Sequence, residues 1–138
     1  MGNIEILDVS GDLGIKVLAA NLEDVFSTAA IGLYSLTTGI DSIEPLTTVQ
    51  VNVTEDSVER LLVAWLNELI YLLDTNGFIG KQVTLMSLDD RHISAEIIGE
   101  SFNPEKHDSG FLIKAATYHK LRLDKSDPGW SAEIIFDI

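Results

Sequence analysis

The chain has 138 residues, 22 acidic against 9 basic, a formal charge of -13 and no cysteine. That length suits one domain whose core needs no covalent staples, and the missing cysteines exclude disulfides, thiolate metal sites and thiol nucleophiles. The acidic balance disfavours a direct, non-specific grip on nucleic-acid phosphates, whose affinity comes from Lys and Arg.

In chain order, "NIEIL" and "GIKVLAA" read as short extended segments separated by the turn-rich "DVSGDLG". Asn21 stands where a helix cap belongs, and Leu22, Val25, Phe26, Ala29, Ala30 and Leu33 follow at helical spacing, which predicts a helix running up to Gly39. After Pro45, "TTVQVNV" alternates with Val49, Val51 and Val53 on one side, the pattern of a half-buried strand. Asp56 and Glu59 have capping-box spacing. Behind them Val58, Leu61, Leu62, Trp65, Leu66, Leu69, Leu72 and Leu73 form an apolar stripe ending near Gly77, with Asn67 to Leu69 on its polar edge.

From Lys81 the period changes to two. "KQVTLMSL", "HISAEIIGESF", "GFLIKAATYHKLRL" and "GWSAEIIFDI" read as successive strands, joined by tight turns at Asp89–Asp90 and Asp127–Pro128–Gly129 and by a longer loop, "NPEKHDSG". The expectation is a single α+β domain over residues 1–138, with two helices packed on a mainly antiparallel sheet of roughly six or seven strands. "LLVAWL" is six apolar residues where a bilayer span takes about 20, and "MGNIEILDVSGD" has neither the basic start nor the apolar core of a signal peptide. A soluble, cytoplasmic protein is therefore expected.

Strand parity shows which polar groups can meet. In the last strand Trp130, Ala132, Ile134, Phe136 and Ile138 alternate with Ser131, Glu133, Ile135 and Asp137, so Asp137 leaves the apolar row. Lys114 shares a face with Ala116, Tyr118, Lys120 and Arg122, opposite a row that includes His119. Lys114 is then either a solvated surface cation or a functional one, and His119 is expected to be a hydrogen-bonded core histidine. Asp8 and Asp12 flank an Asx-turn sequence that superficially resembles a calcium loop. The EF-hand pattern fails, because Leu13 stands at the glycine position and Ala19 at the bidentate Glu. Phosphate-cradling GxxxxGK[ST] and GxGxxG motifs, the GxSxG elbow and HExxH are all missing. Glu100, His107 and Asp108 are read as solvated loop polarity, with an acid/base group as the alternative.

Several stretches together resemble the archease family, along essentially the whole chain. "DVSGDLGI" is similar to the family's HTADxGI turn through Asp12, Gly14 and Ile15. "LEDVFSTAAIGLYSLTT" and "LLVAWLNELIYLLDT" are similar to its two helices. "GESFNPEKHDSGFLIKAATYHKL" resembles its GExxxxxxH and KAxTYH elements through Gly99, Glu100, His107, Lys114, Ala115, Thr117, Tyr118 and His119, and the chain closes in "FDI". Val9, Ser10 and Gly11 depart from the histidine, threonine and alanine of HTAD, and Ala116 replaces a branched residue.

The resemblance implies a protein that is not itself an enzyme but activates an RNA-splicing ligase in tRNA splicing, promoting its guanylylation and repeated turnover. It also implies a divalent metal site formed by Asp12, Asp137 and the carboxylate of Ile138, with Lys114 required for activation. All-oxygen donors suit calcium, with magnesium or manganese as alternatives. Two carboxylates about 5 Å apart repel by about 3 kcal/mol at an effective dielectric near 20, which a cation would relieve. A second implied role is chaperone-like modulation of a tRNA methyltransferase. A metal-dependent hydrolase around Asp12 and Asp137 lacks a positioned base or nucleophile.

Overall fold

Asn21 begins the first helix as expected. Its Oδ1 accepts a hydrogen bond from the Asp24 N–H at 2.8 Å, satisfying one of the donors a helix start leaves unpaired. Helix α1 spans Leu22–Thr37 and buries Val25, Phe26, Ala29, Ala30 and Leu33. The second helix, α2, spans Val58–Asn76, and its cap differs from the sequence expectation. Ser57, not Asp56, takes the position, with its hydroxyl accepting from the Arg60 N–H at 3.3 Å. The chain leaves α2 at Gly77, which adopts the left-handed conformation and donates its N–H to the Leu73 carbonyl.

The structure, a computed structural model, describes residues 2–9 and 11–138, with Val9 described by its backbone only. Ser10 and the Val9 side chain, both departures from the family turn, therefore lie outside the described residues. Strands β1 (Asn3–Val9), β2 (Asp12–Ala19), β6 (Ala115–Ala116), β7 (Arg122–Ser126) and β8 (Gly129–Asp137) form one sheet. Its order is β1-β2-β8, with β6 and β7 both pairing along the free side of β8. Strands β3 (Thr47–Thr54), β4 (Phe78–Leu88) and β5 (His92–Ser101) form a second sheet in the order β3-β5-β4. Every pairing is antiparallel. The α+β class with two helices on antiparallel strands is as expected, but the strands divide into two sheets.

The helices join those sheets. Helix α1 lies against β2 of one sheet and β4 of the other, while α2 covers the second sheet and reaches β6. Between them Trp65 is fully buried, and its indole N–H donates to the Phe26 carbonyl at 3.0 Å, so the largest core side chain carries no unpaired polar atom. Ile15, Val17, Ala132 and Ile134 close the core from the first sheet; Val51, Ile93, Ala95 and Ile97 close it from the second. Burying each large aliphatic or aromatic side chain contributes roughly 1.5–3 kcal/mol.

The segment expected as one long strand from Gly110 to Leu123 is broken. Only Ala115 and Ala116 pair as β6, and the chain then turns with Lys120 at a φ of 52° before β7 begins. Lys114 donates its N–H to the Asp137 carbonyl at 2.8 Å while Ala115 is the register partner of Asp137. Two residues thus oppose one, as in a β-bulge, and the alternation slips by a residue. Ala116 is buried where Lys114 is exposed, so the two do not share a face.

Replacing the true cap costs more than replacing its neighbour. Ser57→Ala is expected to destabilise the protein by about 1 kcal/mol in urea unfolding, and Asp56→Ala by less than half of that. Equal losses in the two variants would contradict the assignment.

Candidate functional site

The site expected at the turn and the chain end depends on how β2 meets β8. Gly14 stands opposite Ile135 in that pairing, and a Cβ built on it would lie 2.5 Å from the Ile134 carbonyl oxygen. Only a glycine admits so close an approach. The register runs from Ala19 opposite Trp130 to Leu13 opposite Phe136. Asp12 and Asp137 are the next residues of the two strands beyond that last pair. Asp137 in turn neighbours Ala115 of β6. Val9, Asp12, Asp137 and Ala115 therefore cross four strands at one end of the sheet.

Apolar neighbours fix this line while leaving its carboxylates in water. Leu13 and Phe136, the preceding pair, are buried, whereas Asp137 is exposed and Asp12 half-exposed. Ile138, just beyond the strand, is exposed, as is Lys114. Lys114 is tied to Asp137 through its backbone N–H. Thr117 donates both its N–H, at 3.0 Å, and its hydroxyl, at 2.8 Å, to the Ile135 carbonyl, and accepts the His119 N–H on the same hydroxyl. The turn so formed carries His119 outward. Expected as a core histidine, it is instead exposed, with Nε2 3.7 Å from Asp12 Oδ2. The reason is the slip opposite Asp137, which turns Ala116 inward and so puts His119, three residues on, on the outward row.

The donor chemistry of this edge fits a hard cation. Carboxylates directly opposite each other on paired strands repel, and both belong to the oxygen-donor class that calcium, magnesium and manganese prefer. Among the described residues no three His, Asp or Glu side chains are grouped to hold a metal. The third donor in the expected set is the carboxylate of Ile138, which lies just past the end of β8.

A second polar cluster, expected as solvated loop, is built into the fold. Glu100, at the end of β5, is buried and accepts the Glu44 N–H at 2.6 Å and the Lys106 ammonium at 2.9 Å. The fully buried His107 completes it, with Nε2 3.0 Å from Glu100 Oε2. Its Nδ1 accepts from the Asn103 N–H at 2.9 Å, which leaves Nε2 to carry the proton and donate to Glu100. Phe102 stacks on the His107 ring with centroids 5.4 Å apart. Asp108 is exposed and does not belong to the group. Beyond it Gly110 and Phe111 donate to the Thr37 and Leu36 carbonyls at the end of α1, which directs the chain towards Lys114.

The Glu44 N–H, then Lys106 and His107, lower the Glu100 pKa from 4.5 to about 2 against the opposing effect of burial. Lys106 is shifted upward by its hydrogen bonds to Glu44 and Glu100. Glu100 and His107 share a spacing visible in the sequence, but nothing in the six residues between them shows that the ring turns inward. Asn67, expected on a polar edge, differs as well. Its spacing of four from Val63 and three from Ile70, both buried, puts it on a packed face of α2. There it binds the Ala116 backbone twice.

These features define a small acidic α+β protein with two helices bridging two antiparallel sheets and an open carboxylate edge. The model of the Archease protein family (MTH1598/TM1083) matches residues 4–138, and the chain belongs to that family. Protein archease of Thermococcus kodakarensis is 31% identical over 133 residues, covering 94% of each chain. That of Sulfolobus acidocaldarius is 29% identical over 139 residues, covering 100% of each. The solution structure of Methanobacterium thermoautotrophicum protein 1598 superposes with a TM-score of 0.82 at 29% identity, covering 98% of both chains. A Thermotoga maritima archease, described as a possible chaperone, shares the fold with a TM-score of 0.67 at 15% identity, covering 97% of this chain and 96% of that one.

A carboxyl group whose folded pKa is depressed contributes stability above its unfolded pKa and loses it as pH falls through the folded value. The Glu100 contribution is accordingly expected to be present above pH 4.5 and to be lost from there down through about 2. In thermal melts across this window, the midpoint of wild type should fall more steeply than that of Glu100→Gln. Parallel slopes would contradict the assignment.

Proposed function

We propose that this chain is a protein activator of an RNA-splicing ligase in tRNA splicing, promoting guanylylation of the ligase and its repeated turnover, rather than an enzyme in its own right. Membership of the archease family supports this reading. The observation that carries it is the β2–β8 register, which runs to Leu13 opposite Phe136 and so leaves Asp12 and Asp137 as the next residue of each strand, with Lys114 bonded through its N–H to the Asp137 carbonyl.

In this proposal Asp12, Asp137 and the carboxylate of Ile138 hold a divalent ion, calcium by preference of the donor set and magnesium or manganese otherwise. Such an ion would supply a positive charge that offsets carboxylate repulsion and coordination positions for a partner's oxygen atoms. The chain's own residues do the rest. Leu13 and Phe136 anchor the edge in the core, so the carboxylates project from a rigid strand pair. Lys114, exposed and tied to Asp137 through its backbone N–H, offers its ammonium to the partner, and the formal charge of -13 draws the edge towards a ligase site lined with cations.

Exposed Tyr71, Phe111 and Leu112 favour a second role, chaperone-like modulation of a tRNA methyltransferase. Holding a client soluble would use those apolar groups and not the carboxylate edge. Co-purification against both enzymes separates the two roles.

A guanylylation assay of the cognate ligase, with and without this chain and in defined divalent ions, tests the leading reading. Stimulation should be lost in Asp12→Asn and Asp137→Asn and reduced at least about tenfold in Lys114→Ala, with thermal midpoints within a few degrees of wild type. Full stimulation by both aspartate variants would sink it. Extending the chain past Ile138, which turns its carboxylate into a peptide carbonyl, should also abolish the effect.

A further inference from the structure

Asn67 makes two hydrogen bonds to the backbone of a single residue in the strand beside the acidic edge. The Ala116 N–H donates to Asn67 Oδ1 at 2.8 Å, and Asn67 Nδ2 donates to the Ala116 carbonyl at 3.1 Å. A side-chain amide has the same donor and acceptor as a peptide group, so the pair reproduces what a neighbouring strand would offer. Ala116 needs it. The neighbouring N–H groups of Lys114 and Thr117 point at β8, bonding Asp137 and Ile135, so those of Ala116 point the other way, off the sheet. Ala116 is 5% exposed, and water is not there to replace a missing partner.

The mechanical consequence follows from the brevity of β6. Two residues of pairing hold a strand weakly, and beyond them the chain enters a turn at Lys120. Helix α2, by contrast, is anchored around Asn67 by the buried Val63, Trp65, Leu66 and Ile70. Asn67 carries that rigidity across to Ala116, and from there the Lys114 N–H reaches Asp137. We propose that Asn67 is a positioning residue, which clamps the Ala116 peptide to α2 and so fixes Lys114 and Asp137 relative to each other. The functional half of this proposal rests on the activator reading above; the structural half does not.

Two measurements test the halves separately, each compared with Ile93→Val, a core variant in the other sheet that lowers stability without touching β6. In native-state amide exchange, Asn67→Leu should speed exchange of the Ala116 amide by about tenfold or more, while Ile93→Val moves it only in step with global stability. Asn67→Asp keeps the acceptor for the Ala116 N–H and loses the donor to its carbonyl; it should fall between, and it serves if Asn67→Leu does not fold. In ligase guanylylation, the concentration of this protein giving half-maximal stimulation should rise about tenfold in Asn67→Leu with the plateau retained, and stay at the wild-type value in Ile93→Val. Exchange and half-maximal concentration no different from those of Ile93→Val would overturn the proposal. If wild type itself stimulates no ligase, the activator reading falls and the exchange ratio alone decides whether Asn67 clamps the strand.

Discussion

The pairing of β2 with β8 is the constraint on which the rest depends. It joins residues near one end of the chain to those at the other, and it does so with a register that leaves no latitude, because slipping by one residue would turn Ile15, Val17, Ala132 and Ile134 out of the core. Gly14 lets the strands close, with the Ile134 carbonyl passing where a side chain would otherwise stand. The meeting of Asp12 with Asp137 is then a consequence of core packing. Apolar residues one step behind them hold both carboxylates at the same end of the sheet, where in the proposed function a cation or a cationic partner offsets their repulsion.

Two further devices keep the other side of that edge in place. From α2, Asn67 holds the Ala116 peptide. From the second sheet, the Glu100–His107 pair with Lys106 and Glu44 closes the loop that precedes it, and the Gly110 and Phe111 N–H groups fasten its exit to the last carbonyls of α1. Lys114 therefore stands at the end of a segment held at both Gly110 and Ala116. A lysine on an otherwise loose loop would lose far more conformational freedom on meeting a partner.

Much of this was legible in the sequence, for identifiable reasons. The helix stripes from Leu22 and Val58 and the period-two runs of "TTVQVNV", "HISAEIIGESF" and "SAEIIFDI" each come from one face packed against the core, so periodicity alone marks α1, α2, β3, β5 and β8. Parity also placed Asp137 off the apolar row. What it missed came from single events. One doubled residue opposite Asp137 shifted the alternation after Lys114 and sent His119 to the surface beside Asp12. One hydroxyl, that of Ser57, took the cap from Asp56. His107, in a polar loop, turns inward onto Glu100, and Asn67, half-buried on α2, is held to Ala116 far along the chain, contacts that local composition does not record. The pairing of Asp12 with Asp137 lay equally beyond periodicity; only the resemblance joined them, and the register then brought them side by side.

The central claim is that the β2–β8 edge is a cation site. Titrating calcium into the isotope-labelled protein and following its backbone amide resonances tests it most directly. The account predicts saturable shifts centred on Asp12, Leu13, Asp137 and Ile138, absent in Asp12→Asn and leaving the Glu100–His107 cluster unmoved. Shifts that do not saturate, or that centre away from this edge, would contradict it.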